Sequence, residues 1–385
     1  SDGSPTKVTW ESNIYKDKDS YRVEFDDGSM VVADADHVWK VQNRQDRHNH
    51  RPYRTATTAE MSVRVTLSDG RCNWSIPIAE AVEYPEQQLP IDPYALGAWL
   101  GDGNSRGPRL TMHEDDIEVF NCIEAKHPGG HVYEDQIKPH IKRPRIGPVC
   151  EIMSSLKFYD VIKNKHIPEV YLRGSVSQRK ELLAGLLDTD GSVSHALVEF
   201  CNTNKRLAYD VLSLVRSLGH KARMRVDRAR CNGKDCGERY RVFFTPNCQV
   251  FKLNRKAVAL EAQQKRHKNQ TTSIKYVTAI VPVGKKDTKC IAVDNNDHTF
   301  LVGDHYTVTH NCEVSGTKVL LADGTWADIE SLHKEVEIVA FDPRTLKFKV
   351  CKAGPVEDNG VKATIKFVTE TGEVVNVTYE HPLAT

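Results

Sequence analysis

Three consecutive residues, His310-Asn311-Cys312, combine groups able to break their own chain. An Asn carboxamide nitrogen can attack its own main-chain carbonyl, forming a succinimide and cleaving the next peptide bond. A neighbouring imidazole can protonate the leaving group or polarise that carbonyl. The thiol that follows, at Cys312, can take an acyl group. A second pair of reactive positions lies upstream, where Asp102 and Asp190 close the apolar blocks LGAWLGDG and LAGLLDTDG. Two carboxylates brought together suit Mg²⁺, which takes oxygen ligands and can activate water while stabilising a leaving oxygen. A third feature is a run of cations, Arg216, Lys221, Arg223, Arg225, Arg228, Arg230, Lys234, Arg239 and Arg241, opposed only by Asp227, Asp235 and Glu238. Such a stripe is a candidate phosphate footprint or a solvated charged face.

The elements that must position these groups follow from pattern. Residues 1–41 read as strands, with FDDGS as a hairpin turn, and residues 42–60 read as a polar loop. Helices are expected at DPYALGAWLGDG, entered through an Asp92 cap and Pro93, and at SQRKELLAGLLDTDG. The Gly after each closing Asp suits a left-handed cap. Helix NKRLAYDVLSLVRSLG precedes strands ARMRVDRAR and YRVFFTP, EAQQKRHKNQTTS reads as a linker, and strands return from Ile274. Residues 7–41 also resemble residues 349–385, with Gly28 and Gly372 each placed nine residues before a His, His37 and His381.

Composition narrows the class. The 385 residues argue for two or three domains. At 39% apolar and 27% charged, the chain has the composition of a folded core. Lys plus Arg total 53 against 52 Asp plus Glu, so the basic stripe sits in a neutral chain. No apolar run is long enough for a membrane span, and the N-terminus has no signal-peptide pattern. The ten cysteines contain no CxxC pair, which speaks for a reduced, cytoplasmic (intracellular) protein.

The neighbourhoods of the reactive residues carry a resemblance. KCIAVDNNDHTFLVGDHYTVTHNC resembles the two C-terminal motifs of inteins, the self-splicing Hint-fold domains. CEVSGTKVLLADGTWADIESL resembles their N-terminal motif, with Cys312 first and Thr317 sixth, and VTYEHPL resembles the intein TxxH motif through Thr378 and His381. LGAWLGDG and LAGLLDTDG resemble the paired motifs of LAGLIDADG homing endonucleases. Together these matches cover most of the chain. Trp39, Cys290 and Thr309 form a trio similar to that of class 3 inteins, in which a cysteine at the place of Cys290 attacks the upstream junction directly. The chain departs from that pattern in starting without an intein's opening strands and in having Cys where class 3 members usually carry Ser or Thr at position 312.

The resemblance implies an α+β protein: an all-β, horseshoe-like Hint splicing domain with an inserted α/β endonuclease of saddle-shaped antiparallel sheets. The expected boundaries are 1–88 and 273–311 for the Hint domain, 89–272 for the endonuclease, and 312–385 for an intein N-terminal-type segment. That last segment either belongs to a second, split intein, completes the same Hint domain by permutation, or is an engineered fusion. The implied activities are self-splicing by Cys290, His310, Asn311 and Cys312 with His37, Trp39, Thr309, Thr378 and His381, and Mg²⁺-dependent cleavage of duplex DNA. For the latter, Asp102 and Asp190 would hold the metal and Lys165, in NKHIP, would stabilise charge at the phosphate. Arg223, Arg225, Arg228, Arg230, Arg239 and Arg241 would face DNA. Implied partners are a double-stranded homing site, flanking exteins and a complementary split-intein fragment. A DNA-binding protein without cleavage, and a Hint domain that only cleaves itself, are the alternatives.

Overall fold

The computed structural model describes residues 3, 5–6, 8–11, 14–231, 234–266, 273–293 and 299–310. Beyond them it describes the strands Lys318–Leu320, Trp326–Asp328, Val336–Asp342, Lys347–Ala353, Thr364–Val368 and Val374–Thr378. Helix and sheet are mixed, and two hydrophobic clusters organise them. One joins Val23, Phe25, Trp39, Val41, Trp74 and Ile76 to Val277. The other is built wholly from residues between Ile91 and Leu260.

The first cluster lies under a four-stranded antiparallel sheet ordered Met30–Asp34, Tyr15–Phe25, Ile274–Thr288, Ser75–Pro77. Strand alternation buries Val23 and Phe25, and the turn after Phe25 needs Gly28 at φ +84°. Lys275 reaches back to that turn and makes a buried ion pair with Asp27 at 2.9 Å. Val38–Val41 pairs with Arg54–Thr57, and Thr299–Val302 pairs with Thr307–His310. The segments before and after the second cluster thus meet in one sheet: Ile274 is the direct ladder partner of Pro77.

The second cluster centres on two helices, Pro93–Asp102 and Val176–Asp190. Asp92 caps the first by accepting from the Ala95 N–H at 3.2 Å, with Pro93 at the first helical position. Ser175 and Gln178 form a capping box on the second. The two helices touch backbone to backbone. A Cβ on Gly97 would fall 2.2 Å from the Leu182 carbonyl oxygen, and one on Gly185 would fall 2.2 Å from that of Tyr94. Neither neighbour can swing aside, so Gly185→Ala is expected to destabilise this unit by about 1–3 kcal/mol, measured by chemical denaturation. An unchanged midpoint would mean that the helices separate without penalty.

Each helix is followed by an antiparallel sheet. The first is ordered Met112–His113, Ile141–Arg145, His131–Glu134, and the second Gly191–Ser194, Leu197–Asn202, Lys234–Phe244, Ala222–Cys231. Farther on, the chain forms three hairpins, Lys318–Leu320 with Trp326–Asp328, Val336–Asp342 with Lys347–Ala353, and Thr364–Val368 with Val374–Thr378.

Three local expectations are corrected. Residues 42–60 are not simply loop: Arg44–His48 and Thr58–Val63 are short helices, each started by a capping box, Asn43 with Asp46 and Thr57 with Glu60. The first six residues of the expected linker, EAQQKR, are the end of the helix Asn254–Arg266, which buries its own Lys256 and Leu260; residues 267–272 lie outside the described ones. The glycines after the two closing aspartates are extended, Gly103 at φ −72° and Gly191 at φ −95°, rather than left-handed. They are required for space: a Cβ would meet the Trp99 carbonyl oxygen at 2.1 Å and the Leu187 carbonyl oxygen at 2.4 Å.

Candidate functional site

The close helix contact brings the two C-terminal ends together. A Cβ on Gly101 would lie 3.6 Å from the Asp190 carboxyl carbon, and Asp102 follows at once. Burial, and then the neighbouring Asp190 charge, push the Asp102 carboxyl up to about 6. Burial likewise raises Asp190, against the opposing hydrogen bond from the Asn202 amide at 2.7 Å. Two half-buried carboxylates, with the charge of Asp190 raising Asp102, make a place where a cation is favoured.

Lysines surround this pair. Lys165 donates to the Gly101 carbonyl at 2.9 Å and sits over the Trp99 ring, 5.3 Å from its centroid. Burial lowers it to about 8, while Asp190 and Asp102 act in the opposite direction. Lys256 was not singled out from sequence. Its ammonium caps the second helix, donating to the carbonyls of Leu187 at 2.9 Å, Asp188 at 2.8 Å and Thr189 at 3.2 Å. Asp188 was missed too. It accepts from the Tyr94 hydroxyl at 2.7 Å and from the Leu253 N–H at 3.0 Å, tying the two helices to the loop that carries Lys252 and Leu253. The only sequence signal for Asp188 was an acid inside an otherwise apolar block, and Lys256 had none.

Residues 177–248 match the family model of a LAGLIDADG-like domain. The replicative DNA helicase DnaB of Mycobacterium intracellulare is 34% identical over 327 residues, which is 80% of this chain and 53% of that protein. The chain therefore spans about half the length of the curated relative it matches. Among solved structures, mesophilic variants of the homing endonuclease I-DmoI align with 15% identity and a TM-score of 0.31, over 45% of this chain and 97% of theirs. I-DmoI in complex with DNA and Ca aligns with 16% identity and a TM-score of 0.31, over the same shares.

In the LAGLIDADG-like domain the basic stripe is not uniform. Arg241 forks onto Glu199 at 2.5 and 2.7 Å and also reaches Asp227 at 3.2 Å. Arg239 pairs with Asp227, and Arg228 pairs with Asp235 at 2.5 Å. Arg223, Arg225 and Arg230 are exposed and form no ion pair among the described residues. Arg223, Arg225 and Arg241 rim a cleft of about 480 Å³ that also includes Leu197 and Phe243.

A second constellation lies in the other sheet system. His37 Nε2 and Thr309 Oγ1 are 2.5 Å apart, and the His37 ring meets the Trp39 ring edge-on, with centroids 4.9 Å apart. Trp39 is fully buried and its indole N–H donates to Thr58 Oγ1 at 3.0 Å. Thr309 is buried in the Thr307–His310 strand opposite Phe300. Cys290 is buried immediately before the strand Ile291–Val293. The backbone of His310 pairs with that of Thr299. Asn311, Cys312, Thr317 and His381 lie outside the described residues, and Thr378 is placed only as the end of its strand. The separation of Cys290 from Asn311 therefore lies outside them as well.

Among the described residues no three His, Cys, Asp or Glu converge as a metal cage. No helix among them is long and apolar enough to cross a membrane.

Proposed function

We propose that the chain is an intein carrying a nested homing endonuclease: it splices itself out of a host protein and cuts duplex DNA at the host gene's insertion site. The observation that carries the DNA-cleavage half is the half-buried Asp102–Asp190 pair at the ends of two helices, the second inside the LAGLIDADG-like domain. The splicing half is supported by His37, Trp39 and Thr309 meeting beside the strand that leads to His310-Asn311-Cys312. The match to a replicative helicase over most of this chain, but half of that protein, supports a helicase of that kind as the host.

Two carboxylates without a thiol or imidazole between them fit a hard divalent cation such as Mg²⁺, whose other ligands would be water and phosphate oxygens. When bound, such an ion activates water and neutralises charge on the leaving oxygen. Asp102 and Asp190 would hold it, Asn202 fixes the Asp190 carboxylate, and Lys165 places a positive charge beside the scissile phosphate. The two antiparallel sheets that follow the helices would lie against the DNA.

Protonation sets the working range. Below about 6 Asp102 becomes neutral and stops attracting a cation, and above about 8 Lys165 loses its charge. Cleavage is expected to be bell-shaped between those limits, with the acid limb moving to lower pH as Mg²⁺ rises, since proton and metal compete. Without metal the sign for stability is the reverse. Asp102 holds its proton more tightly folded than unfolded, so stability falls as pH rises from about 4 to about 6. Added Mg²⁺ should then raise the unfolding temperature at neutral pH, and Asp102→Asn should remove that shift. An equal shift in the variant would place the ion elsewhere.

Phosphate contact is tested by salt. Arg223→Ala and Arg225→Ala should each reduce the slope of log affinity against log salt by about 1. Arg239→Ala should change it less, because Asp227 already neutralises that charge. Equal effects for all three would make the stripe a general surface field and not a set of contacts.

A further inference from the structure

The sheet that follows the Val176–Asp190 helix carries one apolar spot on its outward, charged face. Alternation turns Val198, Phe200, Val242 and Phe244 into the core and leaves Leu197, Glu199, Arg241, Phe243, Arg223 and Arg225 on the other face. Phe243 stands opposite Glu199 on one side and Arg223 on the other. The Arg241 guanidinium lies over the Phe243 ring, 4.8 Å from its centroid. Its contacts to both oxygens of Glu199, and to Asp227 at 3.2 Å, hold it there and offset its charge. Those three contacts use three of the five N–H donors of a guanidinium, so two remain. The cleft of about 480 Å³ bordered by these groups is lined by Leu197, Arg223, Met224, Arg225, Arg241 and Phe243. Among the described residues that lining offers apolar surface and N–H donors, and no side-chain oxygen.

In the major groove thymine shows a methyl group and the O4 acceptor, which such a lining complements. Cytosine and adenine show an amino donor there, which it would leave unpaired, and guanine has no methyl to cover the apolar spot. We propose that the cleft reads one thymine of the duplex: its C5 methyl packs on Phe243 and Leu197, and its O4 accepts from an Arg241 N–H that the carboxylates do not use. Arg223 and Arg225, exposed and without an ion pair among the described residues, flank the cleft and grip phosphates. Arg241 reads a base instead, because Glu199 and Asp227 offset its charge and fix its plane. This assignment rests on the DNA-cutting reading of the domain and deepens it by naming base chemistry that its sheet selects.

The test uses the full chain and a duplex that it selects from a random library. Each thymine of that duplex is replaced in turn by deoxyuridine, which lacks only the methyl, and affinity is measured for the parent, Phe243→Ala and Leu197→Ala. At one thymine the parent should lose about fourfold, the worth of one buried methyl, and each variant should lose little of that. Cytosine at that position should cost the parent about tenfold or more, and 5-methylcytosine should regain the methyl's share alone. On the duplex with deoxyuridine at that position, parent and variants should bind alike, which also shows that the variants are folded. A selected duplex in which no thymine behaves this way, or a deoxyuridine effect that persists in both variants, would overturn the thymine cleft while leaving DNA recognition by the domain standing. A parent that selects no duplex at all would overturn both.

Discussion

Asp190→Asn is expected to abolish cleavage of duplex DNA while leaving duplex binding nearly intact. The substitution keeps size and the Asn202 contact geometry but removes one of the two charges proposed to hold the cation. Losing several kcal/mol of charge stabilisation corresponds to at least about a thousandfold in rate. The arginines proposed to bind, Arg223, Arg225 and Arg230, are exposed on the sheet and the substitution does not touch them. A second, equally diagnostic consequence follows from burial. Removing the Asp190 charge takes away the neighbour that helps to raise Asp102, so the variant's remaining carboxylate should titrate lower. The measurement is single-turnover cleavage of a target drawn from a duplex library, with binding followed on the same fragment. Cleavage at the parental rate would remove Asp190 from the metal site.

The second large effect concerns the chain's own backbone. The Asn311–Cys312 bond should break slowly in purified protein, separating residues 1–311 from 312–385. Two routes converge on it: Asn311 cyclisation assisted by His310, and an acyl shift onto the Cys312 thiol. Added thiol should accelerate the second. Asn311→Ala alone should leave a thiol-dependent fraction, and Asn311→Ala with Cys312→Ala should stop cleavage altogether. Intact mass over days reads all four cases. A parent chain that stays whole under thiol would favour 312–385 belonging to a second, split intein that awaits a partner. Cleavage would favour a site completed within this chain.

The paired helices were legible because the LGAWLGDG and LAGLLDTDG blocks are apolar on every face and small where the backbones meet. Both observations are local. The strand-rich start was legible from alternation, and the basic stripe from composition. What escaped was non-local. The partners of Arg228, Arg239 and Arg241 depend on register between strands, so a run of cations in sequence became a mixture of ion pairs and exposed arginines. Lys256 reads as one more charge on an amphipathic helix, and only the fold shows it buried against three carbonyls. The extended glycines after Asp102 and Asp190 show the converse: the residue type was informative, but the reason was crowding by the preceding turn and not handedness. The capping boxes at Asn43 and Thr57 were available in sequence and were overridden by the polarity around them.

The ladder rung that joins Pro77 to Ile274 makes the two hydrophobic clusters unequal partners in unfolding. While the LAGLIDADG-like domain and the residues packed with it are folded, they act as a rigid staple whose ends already sit at ladder distance. Once their core melts, the same sheet must close a loop of roughly 200 flexible residues, an entropic penalty of about 5 kcal/mol. Melting of the larger core should therefore drag down the four-stranded sheet of Tyr15–Phe25 and Ile274–Thr288, whose Val23, Phe25 and Val277 pack in one cluster with Trp39. The reverse does not hold, since losing that sheet leaves no loop to close within the larger core. Heat or denaturant should thus silence both proposed activities in a single step if the larger core is the weaker one, and in two steps if it is the stronger.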